Sequence, residues 1–200
     1  MPVFGITGGV ATGKSSFVRA LLKHAPGELF DADRCVHQLL AGDLTVHSAL
    51  RNAFDPSVFG EDGSLDRAAL RELVFNDDLA RRRLEAILHP RVREQWTAQA
   101  DACRRTGQRL YADIPLLYET GGETEVDRVI VVACSPATQR ERLRLQRGLA
   151  NGLIERMIGA QLDLATKIAR ADHVVWNDST PAALDDQARL FAAWLCQRYG

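Results

Sequence analysis

The chain has 200 residues, 46% of them hydrophobic and 26% charged. That is enough to bury one domain's core without disulfide or metal staples, and it excludes a disordered, collagen-like or coiled-coil chain. The formal net charge of −1 separates it from general nucleic-acid binders, which are normally basic.

Pro2 to Ile6 is a short apolar run closed by Thr7-Gly8-Gly9, which predicts a buried strand. Phe17, Val18, Leu21 and Leu22 then recur at helical spacing between Ser15 and Lys23. Leu29-Phe30 predicts a second strand, closed by Asp31-Ala32-Asp33, with helical patterns through Ala53. Asp55 to Gly63 reads as a loop. Asp66 to Thr106 reads as helical, punctuated at His89-Pro90, where the proline can open a new helix. Arg109 to Ile114 and Arg128 to Cys134 predict strands, and Ser135 caps an arginine-studded helix to Gln146. A helix near Leu153 to Leu164, a strand at His173 to Trp176 and a helix from Pro181 to Arg198 complete the chain.

Strands alternating with helices predict an α/β fold with a five-stranded parallel sheet and helices on both faces. The expected organisation is a single domain over 1–200. Its core is 1–35, 109–135 and 172–200, with a helical insertion at about 36–108 and a lid at about 136–165.

The cations are 22 Arg and 3 Lys. Arginine suits bidentate phosphate recognition, although a genome-wide arginine bias accounts for the excess equally well. The imbalance singles out Lys14, Lys23 and Lys167. Cys35, Cys103, Cys134 and Cys196 form no Cys-x-x-Cys pair, so reduced thiols and a cytoplasmic location are expected. No apolar run reaches the length of a membrane span, and no signal peptide is expected.

Gly8-Gly9-Val10-Ala11-Thr12-Gly13-Lys14-Ser15 matches Gly-x-x-x-x-Gly-Lys-Ser/Thr. Gly8 and Gly13 are expected to permit backbone angles that a side chain would block. Consecutive N–H groups then form an anion nest at the start of a helix. Lys14 would reach the β- and γ-phosphates, and Ser15 would offer a hydroxyl to Mg2+. Asn-Lys-x-Asp, Asp-x-x-Gly and Leu-Ser-Gly-Gly are all absent. This removes guanine-nucleotide switches and transporter ATPases and leaves a small-molecule kinase.

Asp31 and Asp33 follow the second strand, where ligands bind in a doubly wound sheet. Either could accept a proton from an attacking hydroxyl, with Asp33 the first choice, and either could instead cap a helix. Asp113 closes the third strand and is a candidate for holding Mg2+ or for a structural hydrogen bond. Arg140, Arg144 and Arg147 share a helical face, with Arg142 turned towards Leu143. They could form a lid over developing phosphoryl charge or a solvated basic face.

These residues resemble the dephospho-coenzyme A kinase family over nearly the whole chain. The resemblance includes the phosphate loop, Asp31-Ala32-Asp33 with His37, and Asp62-Gly63-Ser64-Leu65-Asp66-Arg67. It continues through His89-Pro90-Arg91-Val92-Arg93 and Asp113-Ile114-Pro115-Leu116-Leu117-Tyr118-Glu119. Gln139, Arg142, Arg147, Arg156, Gln161, Lys167, Ala171-Asp172 and Asn177 also fall at the family's spacing.

The resemblance implies a P-loop kinase fold and transfer of the ATP γ-phosphate to the ribose 3′-hydroxyl of dephospho-coenzyme A. It implies that Ala11, Thr12, Gly13, Lys14, Ser15 and Ser16 bind ATP with Arg147 and Asn177. Asp33, Lys14 and Arg142 would be catalytic, and Ser15 and Asp113 would serve the metal. Asp33, Arg93, Leu116, Leu117 and Glu119 would form the acceptor side, and His89 would be structural at a helix junction. ATP and dephospho-coenzyme A are the expected partners, with no nucleic acid, membrane or obligate protein partner. Ala11 stands where the family often has Gly, so it must accept that position's backbone angles, and Tyr118 replaces a common Phe. Asn151-Gly152 is expected to be a flexible turn between two lid helices. A nucleoside monophosphate-type kinase and a non-catalytic ATP-binding module remain as alternatives.

Overall fold

The computed structural model describes residues 1–199. The strands are β1 (Val3–Gly8), β2 (Glu28–Asp31), β3 (Leu110–Asp113), β4 (Arg128–Ala133) and β5 (His173–Trp176). They form one sheet in the order β2-β3-β1-β4-β5 with every neighbouring pair parallel. β1 lies at the centre and is buried along its whole length, as expected for a strand covered on both faces. The helices are α1 (Lys14–His24), α2 (Ala32–Gly42), α3 (Leu44–Ala53), α4 (Arg67–Asn76), α5 (Asp78–Thr106), α6 (Pro136–Arg147), α7 (Asn151–Gly159), α8 (Leu164–Ala169) and α9 (Pro181–Tyr199).

The main core joins Phe4 and Ile6 of β1, Ile130 and Val132 of β4, and Val175 of β5 to Phe17 and Leu21 of α1 and Leu184, Phe191 and Leu195 of α9. Phe17 and Leu21 are four residues apart, so they meet the sheet from one helical face. The register sets Asp31 opposite Asp113, and Asp113 opposite Ile6. The carboxyl ends of β2 and β3 are therefore level with Ile6, two residues before the end of β1, where the phosphate loop begins.

The chain divides into two compact units, Met1–Asp31 with Thr97–Gly200, and Ala32–Trp96. The second unit is helical, with Leu39, Val46, Leu50, Val58, Leu70 and Leu88 among its buried side chains. Inside it, the segment read as a loop holds a 3-10 turn at Pro56–Val58, capped by Asp55, and a Phe59–Leu65 bridge.

Three helix boundaries differ from expectation. Pro90 opens no new helix, because α5 runs through it. Proline removes one bond, to the Ala86 carbonyl. Both residues are exposed, so water can satisfy that carbonyl and the helix continues; His89 therefore lies at no junction. The actual break falls at Asp77, whose carboxylate accepts from the N–H groups of Leu79 and Ala80. Asn151-Gly152 is not a turn but the start of α7, and the turn is at Gly148, left-handed at φ 64°. The helix expected at Leu153 to Leu164 is α7 alone, with α8 a separate helix after it. Among the described residues, no helix is long and apolar enough to cross a membrane.

Candidate active site

The loop joining β1 to α1 is shaped by two glycines and one strained alanine. Gly13 has φ 91°, which favours glycine. Gly8 is needed for a different reason than expected: it is the last residue of β1, and a Cβ there would collide with the Val132 carbonyl. Ala11, at φ 58°, is the one non-glycine residue with positive φ among the described residues. It adopts the backbone angles its position demands, at a cost of about 1 kcal/mol.

Every carbonyl from Gly8 to Gly13 is engaged. Lys167 Nζ donates to Gly8 O at 3.3 Å, Thr12 Oγ1 to Gly9 O at 2.9 Å and Gln139 Nε2 to Val10 O at 2.7 Å. Arg142 Nη1 donates to Ala11 O at 3.4 Å and Thr12 O at 3.3 Å, and Asn177 Nδ2 donates to Thr12 O at 2.8 Å. The N–H groups of Ser16 and Phe17 close on Gly13 O. Val10 N–H donates to Gln161 Oε1 at 2.8 Å. The N–H groups of Ala11, Gly13, Lys14 and Ser15 have no acceptor among the described residues. Carbonyls tied back and amides left over make a nest for an anion at the N-terminus of α1.

Lys14 forms an ion pair with Asp113, and both side chains are largely buried. Ser15 and Ser16 are exposed on the first turn of α1. The structure thus brings Lys14, Ser15 and Asp113 to one end of the sheet. Asn177 is buried, and its side chain is spent on the loop. A Cβ on Gly13 would collide with its Nδ2. Arg142 also donates to Asn177 O at 2.8 Å, so it braces the loop from behind. Arg140 pairs instead with Glu155, at 2.7 Å from Nε, while Arg144 and Arg147 are exposed.

Of the acceptor-side candidates, Leu116 is half-buried, and Leu117 has no exposed surface. A Cβ on Gly5 would lie 2.7 Å from Leu117 Cδ2, so Leu117 packs against β1 inside the core. Glu119 Oε1 accepts from Lys167 at 2.8 Å and from Leu162 N–H at 2.9 Å. Asp33 and Arg93 belong to the Ala32–Trp96 unit, Asp33 exposed in the first turn of α2 and Arg93 half-buried in α5. Cys134 is buried, and burial pushes its thiol pKa up despite the Arg142 charge. It is therefore no nucleophile near neutral pH.

The loop-holding roles of Gln139, Gln161 and Lys167 are not readable from their spacing. Their partners lie far away in sequence, and neutral amides carry no charge signal.

The dephospho-CoA kinase family profile matches residues 2–183. A dephospho-CoA kinase from Symbiobacterium thermophilum is 41% identical over 196 residues, covering 97% of this chain and 80% of that protein. The chain belongs to the dephospho-CoA kinase family. It is accordingly an enzyme, a kinase that phosphorylates dephospho-CoA. A solved Thermus thermophilus structure matches with TM-score 0.77 and 30% identity, covering 100% of this chain and 98% of that one. The Campylobacter jejuni dephospho-CoA kinase shares the fold at TM-score 0.63 and 22% identity, covering 100% and 97%. The sheet and its surrounding helices are a P-loop kinase fold.

Proposed function

We propose that the chain transfers the γ-phosphoryl group of Mg-ATP to the ribose 3′-hydroxyl of dephospho-CoA, giving CoA and ADP. The observation that carries the donor half is the engagement of every loop carbonyl from Gly8 to Gly13, with N–H groups left over beside Lys14. An anion binds such a nest without reorganising it. Ala11 to Ser16 cradle the phosphates, and Lys14 places its charge on the β- and γ-oxygens. Arg142 and Asn177 hold the cradle, and exposed Arg147 supplies a further cation to the nucleotide.

Ser15 and Asp113 would hold Mg2+, which shields phosphate charge when bound. Their hydroxyl and carboxylate are the hard oxygen donors that ion prefers. The described residues contain no group of three or more metal-ligating side chains. That suits an ion which keeps waters and phosphate oxygens as its other ligands.

Asp33 takes the proton of the attacking hydroxyl. Arg93, Leu116, Leu117 and Glu119 serve the acceptor side. The organisation we favour is one kinase domain with a helical acceptor-binding insertion and a lid formed by α6 and α7, working in the cytoplasm.

The test is ADP release from purified protein with Mg-ATP and, in parallel, dephospho-CoA, AMP and adenosine. Turnover with dephospho-CoA alone is expected. Turnover with AMP instead would mean a nucleoside monophosphate-type kinase. ATP binding without any turnover would mean a non-catalytic module.

A further inference from the structure

Lys167 lies in α8 with no exposed surface. Lysine is almost never fully buried unless its charge is paired. Its ammonium has three donors and three acceptors: Glu119 Oε1 at 2.8 Å, Pro115 O at 3.1 Å and Gly8 O at 3.3 Å. Gly8 begins the phosphate loop. Pro115 and Glu119 lie on the segment leaving β3 just after Asp113. Two further bonds reinforce the junction, from Thr7 Oγ1 to Pro115 O at 2.9 Å and from Leu162 N–H to Glu119 Oε1 at 2.9 Å.

We propose that Lys167 is a positioning residue for phosphoryl transfer: with Glu119 it ties the β3 exit segment, and Asp113 at its head, to the start of the phosphate loop. The inference rests on the kinase reading. Filling the space alone would not call for a charge, because well-packed apolar residues often replace a buried ion pair at no loss of stability. A charge with three directed donors fixes three backbone or side-chain oxygens relative to one another. Here those oxygens belong to the phosphate-holding segment and to the segment that follows the metal candidate. Gln139, Arg142, Asn177 and Gln161 would still orient the loop without Lys167, so nucleotide binding should survive its loss.

The test compares Lys167→Met, Glu119→Leu and the double variant with wild type, well below their unfolding temperatures. The readouts are kcat, KM for ATP and for dephospho-CoA, the Kd of a fluorescent N-methylanthraniloyl ATP, and Tm. We expect kcat to fall about 10- to 100-fold in Lys167→Met, as for a misplacement of roughly 1 Å, with the nucleotide Kd within about threefold of wild type. The double variant should be no worse than the worse single one, because partners in one network are not additive. A lowered Tm with unchanged kcat would overturn the proposal and leave Lys167 a core residue. So would additive losses in kcat, which would show that the two side chains do not act as one tie. If Lys167→Met does not fold, Glu119→Leu decides by itself: it removes the oxygen that accepts from Lys167 and Leu162 at similar volume, and unchanged kcat would overturn the tie. Wild-type turnover of dephospho-CoA in the same assay checks the kinase reading separately, and without it the proposal falls with that reading.

Discussion

Around the phosphate loop, side chains from α6, from α8 and from the end of β5 converge on backbone carbonyls more than a hundred residues away in sequence. In the Ala32–Trp96 unit the helix-capping contacts are local. Asp43, Asp55, Asp66 and Asp77 each accept N–H groups two or three residues further on. The first arrangement makes a rigid anion site that depends on the whole fold. The second makes a set of capped helices whose candidate base, Asp33, is carried on an exposed first turn. Substitutions of the side chains that hold the loop should therefore disturb binding and stability together, and substitution of exposed Asp33 should disturb turnover alone.

The largest effect is expected at the loop. Lys14→Ala removes the cation aimed at the phosphates and should lower kcat/KM for ATP by about 10³-fold, the scale for one preorganised charge stabiliser. Steady-state kinetics with varied ATP measures this. A loss below tenfold would show that the nest's amides carry the phosphate without the lysine.

Next comes the other side of the comparison. Asp33→Asn should cut kcat by roughly 10²-fold or more while the ATP Kd and Tm stay near wild type, because the exposed side chain supports no core. Near-wild-type turnover would remove Asp33 from the role of base, and Asp31, level with Asp113 in the register, would become the next candidate.

Two arginines of one helix sharpen the contrast. Arg142→Ala leaves partly buried carbonyls with fewer donors, and each unsatisfied buried group costs about 1–3 kcal/mol. It should lower Tm and weaken ATP binding about tenfold or more. Arg147→Ala, at an exposed position, should leave Tm unchanged and affect only turnover and nucleotide affinity. Thermal unfolding and nucleotide titration of both variants check this, and equal Tm losses would contradict it.

The sheet is legible in the sequence because strand and helix periods alternate cleanly: β5 falls on its expected residues, His173 to Trp176. The loop is legible because its residue types are dictated by backbone geometry. Pro90 misleads because a proline signals a boundary only when its lost bond is costly, and exposure removes that cost. Lys167 shows as a rare residue at the family's spacing but with no role attached, since what it touches is decided by tertiary packing. At Gly8 the need for glycine is readable but its reason is not, because close approach to Val132 rather than a left-handed backbone excludes a side chain.

The smallest effect concerns the sheet edge away from the loop. His173 on β5 packs against Phe191, at 4.5 Å between ring centroids, and Trp194, at 6.4 Å. With Arg128, Ile130 and Asp172, these rings line a cavity of about 220 Å³. Packing of its ring against Phe191 and Trp194 partly desolvates His173 although the residue keeps exposed surface, and this pushes its pKa below the ordinary 6.5, so the fold modestly favours the neutral ring. The stability it contributes is then complete above the ordinary value and is lost as pH falls from there through the depressed folded value. His173→Phe keeps an aromatic ring against Phe191 and Trp194 but cannot take up a proton. Its Tm should therefore fall less than that of wild type on acidification from about pH 7.5 to about pH 5.5, the range over which an unperturbed histidine titrates, with kcat unchanged at neutral pH. Parallel Tm profiles for the two proteins would show that protonation of His173 does not weaken the fold.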